Sequence, residues 1–390
     1  MGVLEPQGNR EQPETTDNTV ALVKLVTEIG PDIAEISRRL GQFKESVRYR
    51  YKEKIIKRGF GVKADLDYGT LGLTRVVMRL KFADSYKKRA REIFEAMNEL
   101  SYIVAYAGTM PNDVYVVHGG VPTQFTTEFR HLVQGLRAKG IFSSVEFFEC
   151  DWFRVAPMRA ECFNFDEGVW DFDWSRPPQI DERAARATIS EKKKLDKIDL
   201  LLVKELMKDS NRSLKEIHEA IKKINSVDVN YKTLGWHYKN HVLQNHLIRD
   251  YSISWHGLQS NFSLERVQHL GNHEYLGLSL IVRETNPQER VMLRSKLNRL
   301  PFQWSEAAGD AYYSQFFFPL GTVNEALEYL KALLSPYGER AEIFLIDKRE
   351  LRTFTIAFNL WDEERGWTFD PAKLLTRLEG TVLSTRERYA

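Results

Sequence analysis

The residues best suited to chemistry or recognition lie in a basic segment, Lys44–Arg58, which carries seven basic and two acidic side chains. The whole chain has a formal net charge of only +2 at pH 7, so this concentration of cations is local. Lysine and arginine clustered on one helix favour contact with nucleic-acid phosphates, and the alternative is a solvated charged helix face. The segment therefore predicts a DNA-contacting helix.

A helical spacing orients this segment. Val47, Tyr51 and Ile55 recur every four residues and predict an inward face, which leaves Arg48 on the outward face. Arg48 is the candidate for a guanine contact, because a guanidinium can bond bidentately to the acceptors of guanine. The candidate DNA contacts of this part of the chain are Arg38, Arg39, Lys44, Ser46, Arg48, Tyr49, Arg50, Lys52, Lys54, Lys57 and Arg58.

A second helical segment is rich in histidine. His237 and His241 have the i, i+4 spacing that a metal can use, but no acidic residue of the same helix completes a site, so no metal is predicted. Neutral histidines attract phosphate weakly, which leaves open whether this helix contacts DNA or serves assembly. The candidate DNA contacts here are Tyr231, Lys232, Thr233, Trp236, His237 and Lys239.

The two segments belong to a long internal repeat. Val47–Lys52 corresponds to Leu234–Lys239, and similar aromatic tails begin at Phe163 and Phe358. Each copy reads as three helices and a short hairpin wing, followed by β-α-β-β-α-β. The predicted fold is α+β, with two winged helix-turn-helix domains, each followed by a ferredoxin-like domain. The two α+β domains are expected to pair sheet against sheet as an intrachain pseudo-dimer.

The predicted domains follow from this repeat. They are a disordered arm (1–17), a winged helix-turn-helix (18–68), a ferredoxin-like domain with a tail strand (69–173), a linker (174–194), a second winged helix-turn-helix (195–256), and a second ferredoxin-like domain with a tail strand and C-terminal helix (257–390).

Composition narrows the class of protein. The sequence is 43% hydrophobic and 28% charged, which is typical of soluble globular proteins, and no apolar run reaches membrane-spanning length. Two cysteines argue against a disulfide framework, and residues 1–18 do not resemble a signal peptide, so the expected location is the cytoplasm. The sequence lacks the common phosphate-loop, dinucleotide-binding, zinc-protease and nucleophile-elbow motifs, so we expect neither an enzyme nor a cofactor.

The pattern resembles the Lrp/AsnC family of transcription regulators over residues 17–149 and 195–347. The resemblance rests on Leu195-Asp196-x-x-Asp199, on Asn211-Arg212-Ser213, and on Ser46-Val47-x-x-Arg50. It implies a DNA-binding regulator whose partner is double-stranded DNA, with homo-oligomerisation left open. It also implies effector binding near two Gly–Asp turns, although this chain carries two copies and spreads the first turn apart. The corresponding residues are Gly108, Asp113, Gly309 and Asp310.

Two alternatives stay open at this point. Siroheme decarboxylases resemble the same architecture and handle an anionic tetrapyrrole with basic residues and histidines; here His118 lies at the end of a predicted strand. A coloured, tetrapyrrole-bound preparation would distinguish that enzyme from a regulator. The third alternative is a protein-assembly module that uses both winged helices for protein contacts. The sequence favours the DNA-binding regulator, because Lys44–Arg58 carries seven basic and only two acidic side chains.

Overall fold

The computed structural model describes residues 14–110, 113–175, 193–225, 227–254 and 275–383. We call residues 14–175 the first half and residues 193–383 the second half. Most of the predicted arm and of the predicted linker lie outside the described residues. Residues 14–17 are an exception, because the first helix already begins at Glu14.

The first half starts with three helices, and the third keeps its inward face as predicted. Val47, Tyr51 and Ile55 are buried, and Gly59 ends the helical segment at a φ of +81°. The elements are α1 (Glu14–Ile29), α2 (Ile33–Leu40), α3 (Lys44–Tyr51, continued by a π-helical turn, Lys52–Ile56), β1 (Gly61–Leu66), β2 (Leu73–Phe82), α4 (Ala90–Leu100), β3 (Ile103–Met110), β4 (Val114–Pro122), α5 (Thr126–Ala138), β5 (Phe142–Val155), β6 (Phe163–Asn164) and β7 (Val169–Trp170).

The second half repeats this order and adds a final helix. Leu234 and Val242 are fully buried, as their first-half counterparts are. The elements are α6 (Lys197–Lys208), α7 (Leu214–Asn225), α8 (Tyr231–His237, continued by a π-helical turn, Tyr238–Leu243), β8 (Ile248–Ser254), β9 (Tyr275–Arg283), α9 (Pro287–Leu297), β10 (Gln303–Gly309), β11 (Ala311–Pro319), α10 (Val323–Leu334), β12 (Ala341–Thr353), β13 (Trp361–Asp362), β14 (Gly366–Trp367) and α11 (Pro371–Leu383).

The eight long strands close into one barrel in the order β10-β11-β9-β12-β3-β4-β2-β5. The halves therefore join edge to edge, and the expected face-to-face pairing of two sheets was wrong. β5 and β12 make this closure, because their 14 and 13 residues each pair with a strand of their own half and an edge strand of the other. The sequence predicts tail strands over residues 153–165 and 352–361, and only the first residues of each belong to the ends of β5 and β12.

The predicted wings also differ from the structure. In place of two hairpins, β1 and β8 pair with each other in a two-stranded antiparallel sheet between the halves. Asp65 lies opposite Asp250 in this sheet. A strand edge left unpaired in one half is thus satisfied by the other half.

The two predicted effector glycines lie where the halves meet. Gly309 pairs with Cys150 of β5, and a side chain at Gly309 would overlap the carbonyl oxygen of Glu149. A Cβ atom at Gly108 would lie 2.8 Å from the Cβ of Glu350. The close approach of the strands accounts for glycine at both positions, and effector binding near them stays a prediction.

Helices cover the outside of the barrel, and a small separate cluster fills its interior. The interior cluster includes Val77, Val116, Ile281 and Tyr313. None of the described helices is both long and apolar enough to cross a membrane.

Candidate functional site

His118 lies on β4 and faces a buried environment. Its side chain is 4% exposed, and neither ring nitrogen has a hydrogen-bond partner in the described structure. Burial, helped by the charge of Arg75, lowers the pKa of His118 to about 3, so the imidazole is neutral near pH 7. A buried histidine with two unpaired nitrogens is unusual in a folded protein and indicates room for a ligand.

Arg75 lies beside His118 on the neighbouring strand β2. Its guanidinium carbon lies 3.8 Å from the ring centre of Phe153 and 4.3 Å from that of Tyr68. The residue is 8% exposed, and its Nε and Nη1 atoms have no hydrogen-bond partner in the described structure. Aromatic faces hold the cation in place while leaving its N–H donors available to an anion.

The local backbone creates the space for this arrangement. Gly120 is the cross-strand partner of Arg75, and a Cβ atom there would lie 2.6 Å from the ring of Tyr68. Glycine at this position therefore allows Tyr68 to lie against the sheet, where it stacks on Arg75. Burial raises the pKa of Tyr68, so its hydroxyl stays protonated.

These residues form one wall of a cavity of about 850 Å³ between the barrel, the β1–β8 sheet and the end of α6. Both halves contribute to the lining, which includes six basic side chains and three acidic ones. The cavity therefore favours an anionic ligand. The charged lining residues are Lys63, Asp65, Arg75, Arg91, Glu95, Lys208, Asp209, Arg212 and Arg352.

An ion pair at the cavity links the halves. Arg249 of β8 bonds to the carboxylate of Asp65 in β1, and its other amino group donates to the carbonyl of Phe153 at 2.6 Å. Burial and the nearby Asp65 raise the pKa of Asp250, the cross-strand neighbour of Asp65. Arg249 thus fixes the β1–β8 sheet relative to the barrel, whose strand β2 carries Arg75.

The predicted DNA contacts of the first half remain outside this cavity. Tyr49 is 69% exposed, and Arg48 pairs with Glu45 on its own helix. Lys54 and Arg58 both bond to Asp166 at the β6–β7 hairpin. Several further charges are paired locally: Arg38 with Glu35, Arg39 with Glu35 and Glu28, and Lys57 with Glu53.

The predicted DNA contacts of the second half differ in their exposure to solvent. Tyr231 and Trp236 are about half exposed, as an outward face requires. His237, however, is 8% exposed and bonds to Asp199 of α6. The helix turns this side chain against the start of α6, and the expected contact of His237 with DNA stays a prediction.

The comparisons with known proteins give a fold but no family. No family model matches the sequence, and no curated protein matches it. Among solved structures, the siroheme decarboxylase NirDL matches with a TM-score of 0.52 and 8% identity, over 93% of this chain and 99% of that chain. E. coli AsnC matches with a TM-score of 0.26 and 16% identity over 34% of this chain and 89% of that chain. An AsnC-family regulator from Agrobacterium tumefaciens has a TM-score of 0.25 and 17% identity over 34% of this chain and 87% of that chain.

These matches correct the functional prediction. A solved structure that shares the fold over nearly the whole chain is that of an enzyme. The prediction of a DNA-binding transcription regulator was therefore wrong, and so was the prediction that the chain is not an enzyme. The Lrp/AsnC resemblance holds as a partial structural likeness.

The sequence interpretation named His118 but missed Arg75, Tyr68, Phe153 and Gly120. A signal was available in β2, where Arg75 interrupts an apolar strand at a position that shares a face with Val77. A second signal was the pair of glycines that directly follows His118, because glycine inside a strand marks close approach of other groups.

Proposed function

We propose that the chain is an enzyme that binds a tetrapyrrole bearing several carboxylates and removes a carboxylate as CO2. The observation that carries the proposal is the pair of buried, unpartnered groups, Arg75 and His118, in one wall of the cavity. The likeness of fold to a siroheme decarboxylase supports the substrate class.

The cavity suits such a ligand in size and charge. Its volume of about 850 Å³ lies in the range of small-molecule sites, and its aromatic walls suit a flat ring. A carboxylate can accept charge-assisted hydrogen bonds from the free donors of Arg75. Further basic lining residues, such as Lys63 and Arg352, can balance additional carboxylates.

The reaction assigns a role to each unpartnered group. Decarboxylation breaks a carbon–carbon bond, releases CO2 and leaves an electron pair on carbon that must take up a proton, with no net oxidation. Arg75 would hold a substrate carboxylate. His118 would supply the proton, because a bound anion raises the pKa of a neighbouring imidazole. Since burial and Arg75 lower the pKa of His118, protonation of the imidazole near pH 7 would depend on the charge of the bound substrate.

Anaerobic titration of the full chain with siroheme tests binding through the shift of its visible absorption, and mass spectrometry of the extracted pigment tests loss of CO2. We expect wild-type protein to bind and convert siroheme, and R75Q to lose at least about tenfold in affinity, because a hydrogen bond to a charged group contributes about 1.5–3 kcal/mol.

R79Q is the matched control, because Arg79 is also buried on β2 but is paired with Glu146 and Glu342. It should bind siroheme like the wild type. Absence of binding in wild-type protein, or equal binding by R75Q, would contradict the proposal. Binding without mass loss would retain the site but remove the decarboxylase activity.

A further inference from the structure

Four metal-ligating side chains meet at the start of α6, away from the cavity. Asp196 is the N-cap residue of α6 and Asp199 lies in its first turn, whereas His237 and His241 come from α8 and its π-helical turn. The cavity lies at the other end of α6, roughly 15 Å away at 1.5 Å per helical residue between Asp199 and Asp209. The spacing of the two histidines was visible in the sequence, but the acids come from a different helix.

The distances between the candidate ligand atoms fit a four-coordinate metal. His237 Nδ1 lies 2.9 Å from Asp199 Oδ1 and 3.4 Å from Asp196 Oδ2, and His241 Nδ1 lies 3.0 Å from Asp199 Oδ2 and 3.1 Å from its Oδ1. A zinc ion with ligands about 2.0–2.1 Å away in a tetrahedron separates those ligands by about 3.3 Å. The four quoted distances lie within about 0.4 Å of that separation, and all four ligand atoms lie within 4.8 Å of one another, so a small shift of the side chains would admit the ion.

The helix cap leaves the right oxygen atoms available. Asp196 Oδ1 accepts from the backbone N–H of Asp199 at 3.0 Å, and Asp199 Oδ2 accepts from the N–H of Asp196 at 3.1 Å. This reciprocal cap orients both carboxylates. Asp196 Oδ2 and Asp199 Oδ1 are then the atoms that face His237, so capping and metal binding use different oxygens of the same groups.

The buried negative charge of Asp199 also favours a bound cation. Its side chain is fully buried, and no lysine or arginine in the described part of the chain forms an ion pair with it. A fully buried carboxylate is stabilised by positive charge close to it. A divalent ion would supply that charge, and the partial exposure of His241 and Asp196 gives it a route in.

We propose that Asp196, Asp199, His237 and His241 form a binding site for a divalent transition-metal ion of the zinc type. Two imidazole nitrogens and two carboxylate oxygens suit zinc and exclude a preference for the harder calcium and magnesium. The bound ion links the start of α6 to α8 and stabilises the second three-helix unit. This site is independent of the proposed catalytic function.

Calorimetric titration of EDTA-treated, full-length protein with Zn²⁺ tests the site directly. We expect a single equivalent to bind and to raise the thermal unfolding midpoint, because a metal that binds only the folded state stabilises it. Co²⁺ in place of Zn²⁺ should give the intense visible absorption of a four-coordinate ion. Less than one equivalent of bound metal, or the weak spectrum of a six-coordinate ion, would overturn the proposal.

D196N is the sharpest variant, because asparagine keeps the capping oxygen but removes the carboxylate charge. It should fold as the wild type does and lose at least about tenfold in zinc affinity, the lower end of what perturbing a metal site costs. H241N, which changes a partly exposed ligand, should lose as much. H131Q, a change at an exposed histidine on α5, is the control and should bind like the wild type. Unchanged affinity in both D196N and H241N would contradict the assignment.

Discussion

The guanidinium carbon of Arg75 lies 3.8 Å from the ring centre of Phe153, which also lies edge-on to His118 with ring centres 6.2 Å apart. Phe153 sits on the part of β5 that reaches across to pair with Ala307 of the second half. The strand that closes the barrel therefore also positions the two unpartnered groups of the cavity. The arrangement of Arg75 and His118 therefore depends on closure of the barrel.

Acid should destabilise the protein through His118. Its pKa is about 3 when folded against 6.5 when exposed, so the unfolded state takes up a proton first as pH falls. The contribution of His118 to stability is constant above pH 6.5 and is lost between pH 6.5 and 3; at pH 5 this loss is about 2 kcal/mol. Urea unfolding of the wild type and of H118Q at pH 7 and pH 5 measures it by difference, because both proteins share the opposite contribution of Asp250, whose raised pKa favours the folded state at low pH.

H118Q should remove that part of the pH dependence, whereas H131Q, at an exposed position, should retain it. Equal pH slopes for H118Q and wild type would show that the buried imidazole is not the source.

Ligand binding should be coupled to proton uptake at His118. A bound carboxylate raises the pKa of the neutral imidazole, so siroheme should bind more weakly as pH rises. The siroheme affinity of wild-type protein, measured by absorbance between pH 6 and pH 8, should fall as pH rises. The affinity of H118Q should not change with pH over this range. A pH-independent wild-type affinity would place the proton donor elsewhere.

Gly309→Ala should disrupt the junction between the halves. A methyl group there overlaps the backbone carbonyl of Glu149, and backbone cannot move aside as a side chain can. We expect a loss of about 1–3 kcal/mol, the usual range for overpacking. Gly321→Ala is the control, since its Cβ would meet no atom within 4 Å. Chemical denaturation compares the two; similar midpoints would mean that β5 and β10 do not pair this closely.

Arg249→Ala should destabilise the chain far more than the loss of an exposed ion pair. It leaves the carboxylate of Asp65, 5% exposed, without its cation, which typically costs about 3–5 kcal/mol. The matched change is Arg91→Ala, because Arg91 and Glu95 are 65% and 54% exposed and such pairs contribute about 1 kcal/mol or less. Urea midpoints for the two variants should differ clearly, and equal losses would contradict the role of Arg249 as the link between β1 and β8.

The two halves are unequal at the site. Val77 and His118 are cross-strand partners in the first half, and the corresponding partners in the second half are Ser279 and Gln315. Ser279 and Gln315 are linked to each other by a hydrogen bond of 3.4 Å, so that position is occupied by polar packing. The unpartnered histidine, His118, is therefore found in the first half alone among the residues that the structure describes at this position.

The domain boundaries inferred from the repeat stay a prediction.

The sequence by itself determined the local elements. Leu73–Phe82 and Tyr275–Arg283 are the first strands of the two predicted β-α-β-β-α-β units, and Val47, Tyr51 and Ile55 form the predicted inward face, because apolar periodicity reports which side of an element is buried. Tertiary structure decided which edges pair across the halves, since residues far apart in sequence leave no local pattern at a strand edge. It also brought Arg75 to His118 and Asp199 to His237. Each pair joins separate elements, so its chemistry exists only once the chain has folded.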